Sequence, residues 1–211
     1  MDLMQIKQIV GDLPYMSLDK ARIVTEFIQK QNISNILELG FYHGVSTCYM
    51  AAALEALGRG SIVTIDLLSA EQRNPNIEQL LEKCGSRELV EFYYEPVSYN
   101  WRLMKLIEEN KLKFDLCYLD GGHDWYNTGY AFFLVDKLLR TGGWIIFDDL
   151  DWTMEHINKN WALRKPLEER ITPQVRKVWE LLVKPHPNYA NFREEGSWGY
   201  AQKIKDCQDG D

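Results

Sequence analysis

Ile36-Leu37-Glu38-Leu39-Gly40-Phe41-Tyr42-His43-Gly44-Val45-Ser46-Thr47 opens as a short apolar run that carries one acid and stops at a glycine. That is the pattern of a buried strand, here beginning at Ile33. Its second half leads into Val45 to Leu57, an alanine-rich stretch of good helix formers. The segment therefore reads as strand, tight turn and helix. Gly40 and Gly44 stand four apart, which is not the G-x-G-x-x-G spacing of dinucleotide dehydrogenases. Glycines at such a turn let the backbone approach a ligand closely, and the helix behind it offers free N–H groups and a positive dipole end. That end suits a carboxylate as well as a phosphate. A tight turn with a helix cap and no ligand is the plainer alternative.

On either side the same unit recurs. Ser17 to Gln31 has Ala21, Ile23, Val24, Phe27 and Ile28 at near-helical spacing, with Ser17 as a plausible N-cap. Downstream, Ser61 to Asp66 reads as a second strand ending in an acid, Ile77 to Lys83 as a helix stopped by Cys84-Gly85, and Leu89 to Tyr94 as a third strand. Trp101 to Glu109 is an amphipathic helix, and Phe114 to Asp120 a fourth strand ending in an acid. After Gly121-Gly122, Trp125 to Leu139 looks helical, Gly142-Gly143 breaks it, and Trp144 to Asp149 supplies a fifth strand with two terminal acids. The tail adds a helix at Pro173 to Val183 and two candidate strands, Tyr189 to Arg193 and Trp198 to Lys203, that could close the sheet as an antiparallel hairpin. Strands alternating with helices imply an α/β fold of the Rossmann-like, doubly wound type with a mostly parallel sheet covered on both faces.

The 211 residues fit one domain: an N-terminal helical cap (1–32), a cofactor-binding core (33–150), and a substrate cover with closing hairpin (151–211). The cover, Asp151 to Thr172, is rich in Trp, charge and breaks, and reads as an active-site cover or an oligomer contact. The net charge of −7 argues against a phosphate backbone as partner, so no nucleic acid is expected. No apolar run approaches the ~20 residues needed to cross a bilayer, and the start lacks a signal-peptide pattern, so a cytoplasmic protein without membrane contact is expected. Cys48, Cys84, Cys117 and Cys207 show neither zinc-ligand nor disulfide-framework spacing, and Cys48 and Cys117 sit in apolar surroundings. The N-terminal helix and aromatic tail make a homodimer reasonable.

In an open parallel sheet, ligands bind beyond the carboxyl ends of the strands. The acids Glu38, Asp66, Asp120, Asp148 and Asp149 fall at those ends. Asp66 is placed to accept hydrogen bonds from ribose hydroxyls. The run Ile-Leu-Glu38-Leu-Gly40-x-x-x-Gly44-x-Ser46, with Asp66 after it, resembles motif I and the ribose-binding acid of the class I S-adenosylmethionine-dependent methyltransferases. The resemblance spans about Asn35 to Leu150, with a weaker echo in the hairpin, and implies a seven-stranded sheet. It also implies that Glu38, Gly40, Gly44 and Ser46 surround the methionine portion of S-adenosylmethionine, that Asp66 holds the ribose, and that Phe41, Tyr42, Ser98 and Asp120 complete the cofactor site. Glu95-Pro96 departs from the Gly-Asp that the family commonly carries near the adenine.

A second block, Asp120-Gly121-Gly122-His123 followed by Gly142-Gly143-x-x-x-x-Asp148-Asp149, is similar to small-molecule O-methyltransferases that include sugar-hydroxyl methylases and relatives of the cephalosporin hydroxylase-like proteins. There, acids matching Asp120, Asp148 and Asp149 bind a divalent cation, expected here to be Mg²⁺, because carboxylate oxygens suit it. Such a cation would ease loss of the acceptor hydroxyl's proton. Successive strand side chains point to opposite faces, so both Asp148 and Asp149 can reach one ion only if the chain turns at Asp149. Otherwise Asp149 or Asp151 caps a helix and Asp120 is a solvated turn residue. Asp120 and His123 are the candidate catalytic pair: His123 is either the general base or a backbone-bonded turn residue beside Asp124, a helix cap. Of the tryptophans, Trp179 and Trp198 are expected to pack, while Trp152 could wall an acceptor pocket.

The expectation is a metal-assisted O-methyltransferase acting on a small-molecule hydroxyl of a sugar or phenol. A non-catalytic or accessory S-adenosylmethionine-binding protein on the same fold is the alternative. A nicotinamide-dependent oxidoreductase would need a tighter glycine motif and a hydride-transfer set that the sequence lacks.

Overall fold

The sheet is built outward from β1 (Asn35–Leu39), which pairs in parallel with β2 (Ser61–Leu67) on one side and β4 (Phe114–Leu119) on the other. The computed structural model describes residues 1–206, so Cys207 and the last four residues lie outside the description. β3 (Val90–Glu95) extends the sheet beyond β2, and β5 (Leu139–Phe147) extends it beyond β4. Two antiparallel strands, β6 (Tyr189–Glu195) and β7 (Trp198–Lys203), complete the order β3-β2-β1-β4-β5-β7-β6. The direction in which strands are added reverses between β1 and β4, which opens a crevice there at the carboxyl ends.

Helices cover both faces. On one side lie α1 (Leu3–Val10), α2 (Leu18–Gln31), α3 (Val45–Leu57) and α4 (Ile77–Lys83), packed over Ile36, Ile62, Leu116 and Ile146. On the other lie α5 (Tyr99–Glu109), α6 (Trp125–Leu138) and α9 (Gln174–Val178), packed over Leu37, Val63, Cys117 and Ile145. Alternate residues of each central strand thus feed opposite cores, as a pleated strand buried on both faces must. α3 is buried along its first ten residues because α2 packs outside it. The cover region forms two short helices, α7 (Asn160–Leu163) and α8 (Leu167–Ile171), and α9 runs on into a π-helical turn, Trp179–Val183.

Local features refine the sequence expectation. Helix α1, the first of the expected N-terminal helical cap, is capped reciprocally by Asp2 and Gln5. Gly142-Gly143 does not separate α6 from β5: the strand starts at Leu139 directly after the helix, and the glycines lie in a bulge between the Phe114–Leu139 and Leu116–Trp144 pairs. Gly142 adopts φ +83, and a Cβ on Gly143 would lie 2.9 Å from the Arg140 carbonyl oxygen, so both positions of the bulge favour glycine. His186 is half-buried and stands edge-on to Phe132 and Tyr189.

Candidate active site

The loop after β1 is fastened from both sides. Gly40 N donates to the Ile65 carbonyl of β2 at 2.8 Å, and Asp120 N donates to the Leu39 carbonyl at 2.9 Å. Gly40 has φ +91 and Gly44 φ +94, backbone that side-chain-bearing residues rarely adopt. Asp66, at the end of β2, accepts from Phe41 N at 2.9 Å and Tyr42 N at 2.6 Å through one carboxylate oxygen, and from Leu67 N through the other. It therefore shapes the loop as well as facing the cleft. Tyr42 takes φ +52, lies under the Arg73 guanidinium, 3.2 Å from its ring centre, and meets Tyr15 edge-on.

This loop and the ends of β2, β3, β4 and β5 enclose a cleft of about 480 Å³. Of the sequence candidates, Gly40, Phe41, Tyr42, Ser46, Asp66, Ser98, Asp120, His123, Asp148 and Asp149 line it. Glu38 and Gly44 do not. Gly44 is the N-cap of α3 and lies against α4, where a Cβ would come 2.7 Å from Ile77 Cγ1. Glu38 is wholly buried behind the loop, accepting from the hydroxyls of Ser46, Thr47 (2.5 Å) and Thr64 (2.7 Å). It ties β1 to α3 and β2 and holds the cleft residue Ser46 in place.

Burial pushes the Glu38 carboxyl up to about 7, against three hydroxyl bonds that lower it. Because its folded value lies above its ordinary 4.5, its contribution to stability is fully present below pH 4.5 and is lost as pH rises through 7. The loss amounts to about 3 kcal/mol. Denaturant unfolding from pH 4 to 8 should therefore show a decline in the wild type that Glu38→Gln flattens; parallel profiles would refute it.

At the β4 and β5 ends, Asp120, His123 and Asp149 come together, with one ligand-type atom from each lying within 4.8 Å of the others. His123 Nε2 lies 3.5 Å from Asp120 Oδ1 and 3.5 Å from Asp149 Oδ2 and makes no hydrogen bond among the described residues. The chain does turn at Asp149, whose φ is +56, so its side chain reaches the cleft beside that of Asp148. Asp148, however, is not in the cluster. Its carboxylate, 2% exposed, is taken by Lys20 Nζ at 3.0 and 3.2 Å, by Tyr118 Oη at 2.5 Å and by Asp149 N at 2.6 Å. Of the expected trio, Asp120 and Asp149 thus stand together with His123, while Asp148 lies beside them on Lys20. Neither Lys20, brought in by α2, nor Tyr118, on β4, was a sequence candidate, because only packing brings them to β5.

Burial raises the Asp120 carboxyl well above the usual range, with the charges of Asp148 and Asp149 adding to the effect and His123 opposing it. Burial also raises Asp149, helped by Asp148. Burial alone would depress His123, but contact with Asp120 and the charges of Asp149 and Asp148 outweigh it and leave His123 raised. The cluster is a place that favours added positive charge. A divalent cation fits the donor set of two carboxylates and one imidazole, and the unbonded Nε2 is the observation that supports the fit. Trp152 packs at a tilt against His123 with ring centres 4.9 Å apart, walling this end of the cleft, while Trp179 and Trp198 are buried as expected.

A glycine loop and an acid at the switch point of a 3-2-1-4-5-7-6 sheet, opening onto an acid and histidine cluster in one cleft, define a Rossmann-like domain. The chain belongs to a methyltransferase domain family, whose profile matches residues 37–150. Tapetum-specific methyltransferase 1 of Arabidopsis thaliana is 27% identical over 150 residues, which cover 69% of this chain and 60% of that protein. This chain thus spans less than two thirds of that relative's length. Among solved structures, the O-methyltransferase from Bacillus cereus in complex with S-adenosylhomocysteine superposes with a TM-score of 0.70 at 21% identity, covering 96% of this chain and 90% of that one. The O-methyltransferase TomG from Streptomyces achromogenes, in complex with S-adenosylmethionine, gives 0.69 at 17% identity, covering 96% and 89%. Among the described residues no helix is long and apolar enough to cross a membrane.

Proposed function

We propose that this domain is an S-adenosylmethionine-dependent O-methyltransferase acting on the hydroxyl of a small molecule. The observation that carries the reading is that one cleft holds both the Gly40–Asp66 loop and the Asp120–His123–Asp149 cluster. The family match and the ligands of the two superposed structures support it.

Bound in the cleft, S-adenosylmethionine would supply its methyl group: the C–S bond breaks with its electron pair staying on sulfur, and a C–O bond forms to the acceptor. Asp66 holds the nucleoside end, and the loop amides of Phe41 and Tyr42 fix where that carboxylate stands. The acceptor hydroxyl enters beside Asp120 and Asp149 and gives up its proton to Asp120, whose carboxyl burial pushes up to about 7, while burial and the charge of Asp148 also raise Asp149. His123 shares the charge between them. A divalent cation held by Asp120, His123 and Asp149 would add Lewis acidity toward the hydroxyl, and the imidazole ligand suits a transition metal such as Fe²⁺ or Zn²⁺ better than Mg²⁺. Trp152 offers a flat wall to a sugar or phenol ring. Holding donor and acceptor in line contributes about 7–11 kcal/mol of the barrier reduction.

Calorimetric titration with S-adenosylmethionine tests the reading. The wild type should bind, and Asp66→Ala should weaken binding about 100-fold by removing charged hydrogen bonds to the nucleoside and releasing the loop. A wild type that shows no binding heat would remove the methyltransferase reading.

A further inference from the structure

Asp148 follows β5 and lines the cleft beside the cluster of Asp120, His123 and Asp149, yet its carboxylate is already fully engaged. Oδ1 accepts from Lys20 Nζ at 3.0 Å, from Asp149 N at 2.6 Å and, more distantly, from Ser197 Oγ at 3.5 Å. Oδ2 accepts from Lys20 Nζ at 3.2 Å and from Tyr118 Oη at 2.5 Å. A carboxylate offers about four lone-pair sites, so these contacts leave none for a further partner. Lys20 alone spans both oxygens, and taking it away opens a place on each.

Packing holds Lys20 where it stands. It belongs to the first turn of α2, lines the cleft, and rests its ammonium 5.5 Å from the ring centre of Trp198, buried on β7. The same Nζ lies 3.9 Å from Asp149 Oδ1, so one positive charge faces two of the acids. Its side chain is 33% exposed, which lets it be replaced without emptying the core.

We propose that Lys20 is the positioning residue that sets divalent-cation binding in this cleft: by occupying Asp148 it limits the protein ligands to Asp120, His123 and Asp149. This rests on the reading of that cluster as a cation seat. Two effects act in the same direction when Lys20 is lost. A released Asp148 adds a carboxylate ligand beside Asp149, and a like charge disappears from the neighbourhood of the cation. Groups just outside a metal's ligand set change its affinity by about 10–100-fold.

The test is titration of Co²⁺ alone, by calorimetry and by its visible absorption, into wild type, Lys20→Met, Lys20→Arg, Asp148→Asn and Lys20→Met/Asp148→Asn, each checked by thermal melting. Lys20→Met should bind about tenfold or more tightly than wild type, with an altered absorption band as another oxygen ligand joins. Lys20→Arg, whose fork can grip both oxygens, should stay at the wild-type value. In the double variant most of the gain and the whole band change should vanish, which separates release of Asp148 from mere loss of charge. Asp148→Asn alone should leave the wild-type affinity within a few fold, because Asp148 is no ligand while Lys20 holds it; this arm reads out even if Lys20→Met does not fold. Binding confined to Lys20→Met supports the proposal. Equal affinity in Lys20→Met and wild type, a gain kept in full by the double variant, loss of wild-type binding in Asp148→Asn, or no binding by any variant overturns it. S-adenosylmethionine titrated into the same preparations separates the two readings: a wild type that binds it keeps the methyltransferase reading whatever the cation does, and one that does not removes it.

Discussion

Gly40→Ala is expected to cost about 3–5 kcal/mol of stability and to abolish cosubstrate binding. At φ +91 a side chain is strained whatever space surrounds it. Here there is none: an added Cβ would press into the Asp120 carbonyl group, 2.8 Å from its carbon and 2.8 Å from Gly121 Cα. Both neighbours are backbone at the end of β4 and cannot rotate away. The hydrogen bonds from Gly40 N to β2 and from Asp120 N to β1 forbid the loop from lifting without breaking the sheet's own pattern. For a domain of this size the loss lowers the melting temperature by on the order of 10 °C. Scanning calorimetry checks it, with Gly58→Ala as control, because Gly58 is also left-handed at φ +66 but has nothing within 4 Å of its added Cβ. That control should cost only about 1 kcal/mol. Equal melting temperatures for the two variants would show that the close approach of loop and β4 is not what glycine serves.

Asp120→Asn is expected to lower turnover by about 10²–10⁴ while leaving S-adenosylmethionine binding within a few fold. Asparagine keeps the shape and a partner for His123, but it removes the charge at the point where Asp120, His123 and Asp149 meet. It cannot take the acceptor's proton, and it weakens the attraction for a cation. Single-turnover rates with a reactive small-molecule hydroxyl, set beside calorimetric binding of the cosubstrate, separate the two effects. Turnover within tenfold of wild type would remove Asp120 from the chemistry. A parallel loss of binding would place it instead in the cofactor pocket alone.

The β1–α3 unit was legible because its signals are local: an apolar run, a glycine at the turn and a helix former directly after it. The same held for α4, where Asn76 and Cys84 bound a helix read from the sequence as Ile77 to Lys83, and for the closing hairpin. The bulge at Gly142-Gly143 was misread as a helix break, since a pair of glycines looks the same whether it ends a helix or bends a strand. Within the site, Asp66, Asp120 and Asp149 were identified from their places at strand ends. Glu38 occupies such a place too, yet faces the core, because a strand alternates its side chains and only the position of α3 decides which side is the cleft.

The sequence by itself determined the succession of strands and helices, the loop geometry that requires glycine at position 40, and the set of acids at the carboxyl ends. Those follow from periodicity, backbone sterics and the rule that a parallel sheet gathers its strand ends on one edge. Tertiary structure alone decided how those acids are partnered. α2 carries Lys20 to Asp148 and withdraws that carboxylate from the cluster, the turn at Asp149 admits His123 in its place, and α6 brings Asn127 against Ser98. Each of these contacts joins residues from different elements, and packing of helices on the sheet, not spacing along the chain, sets the distance between them.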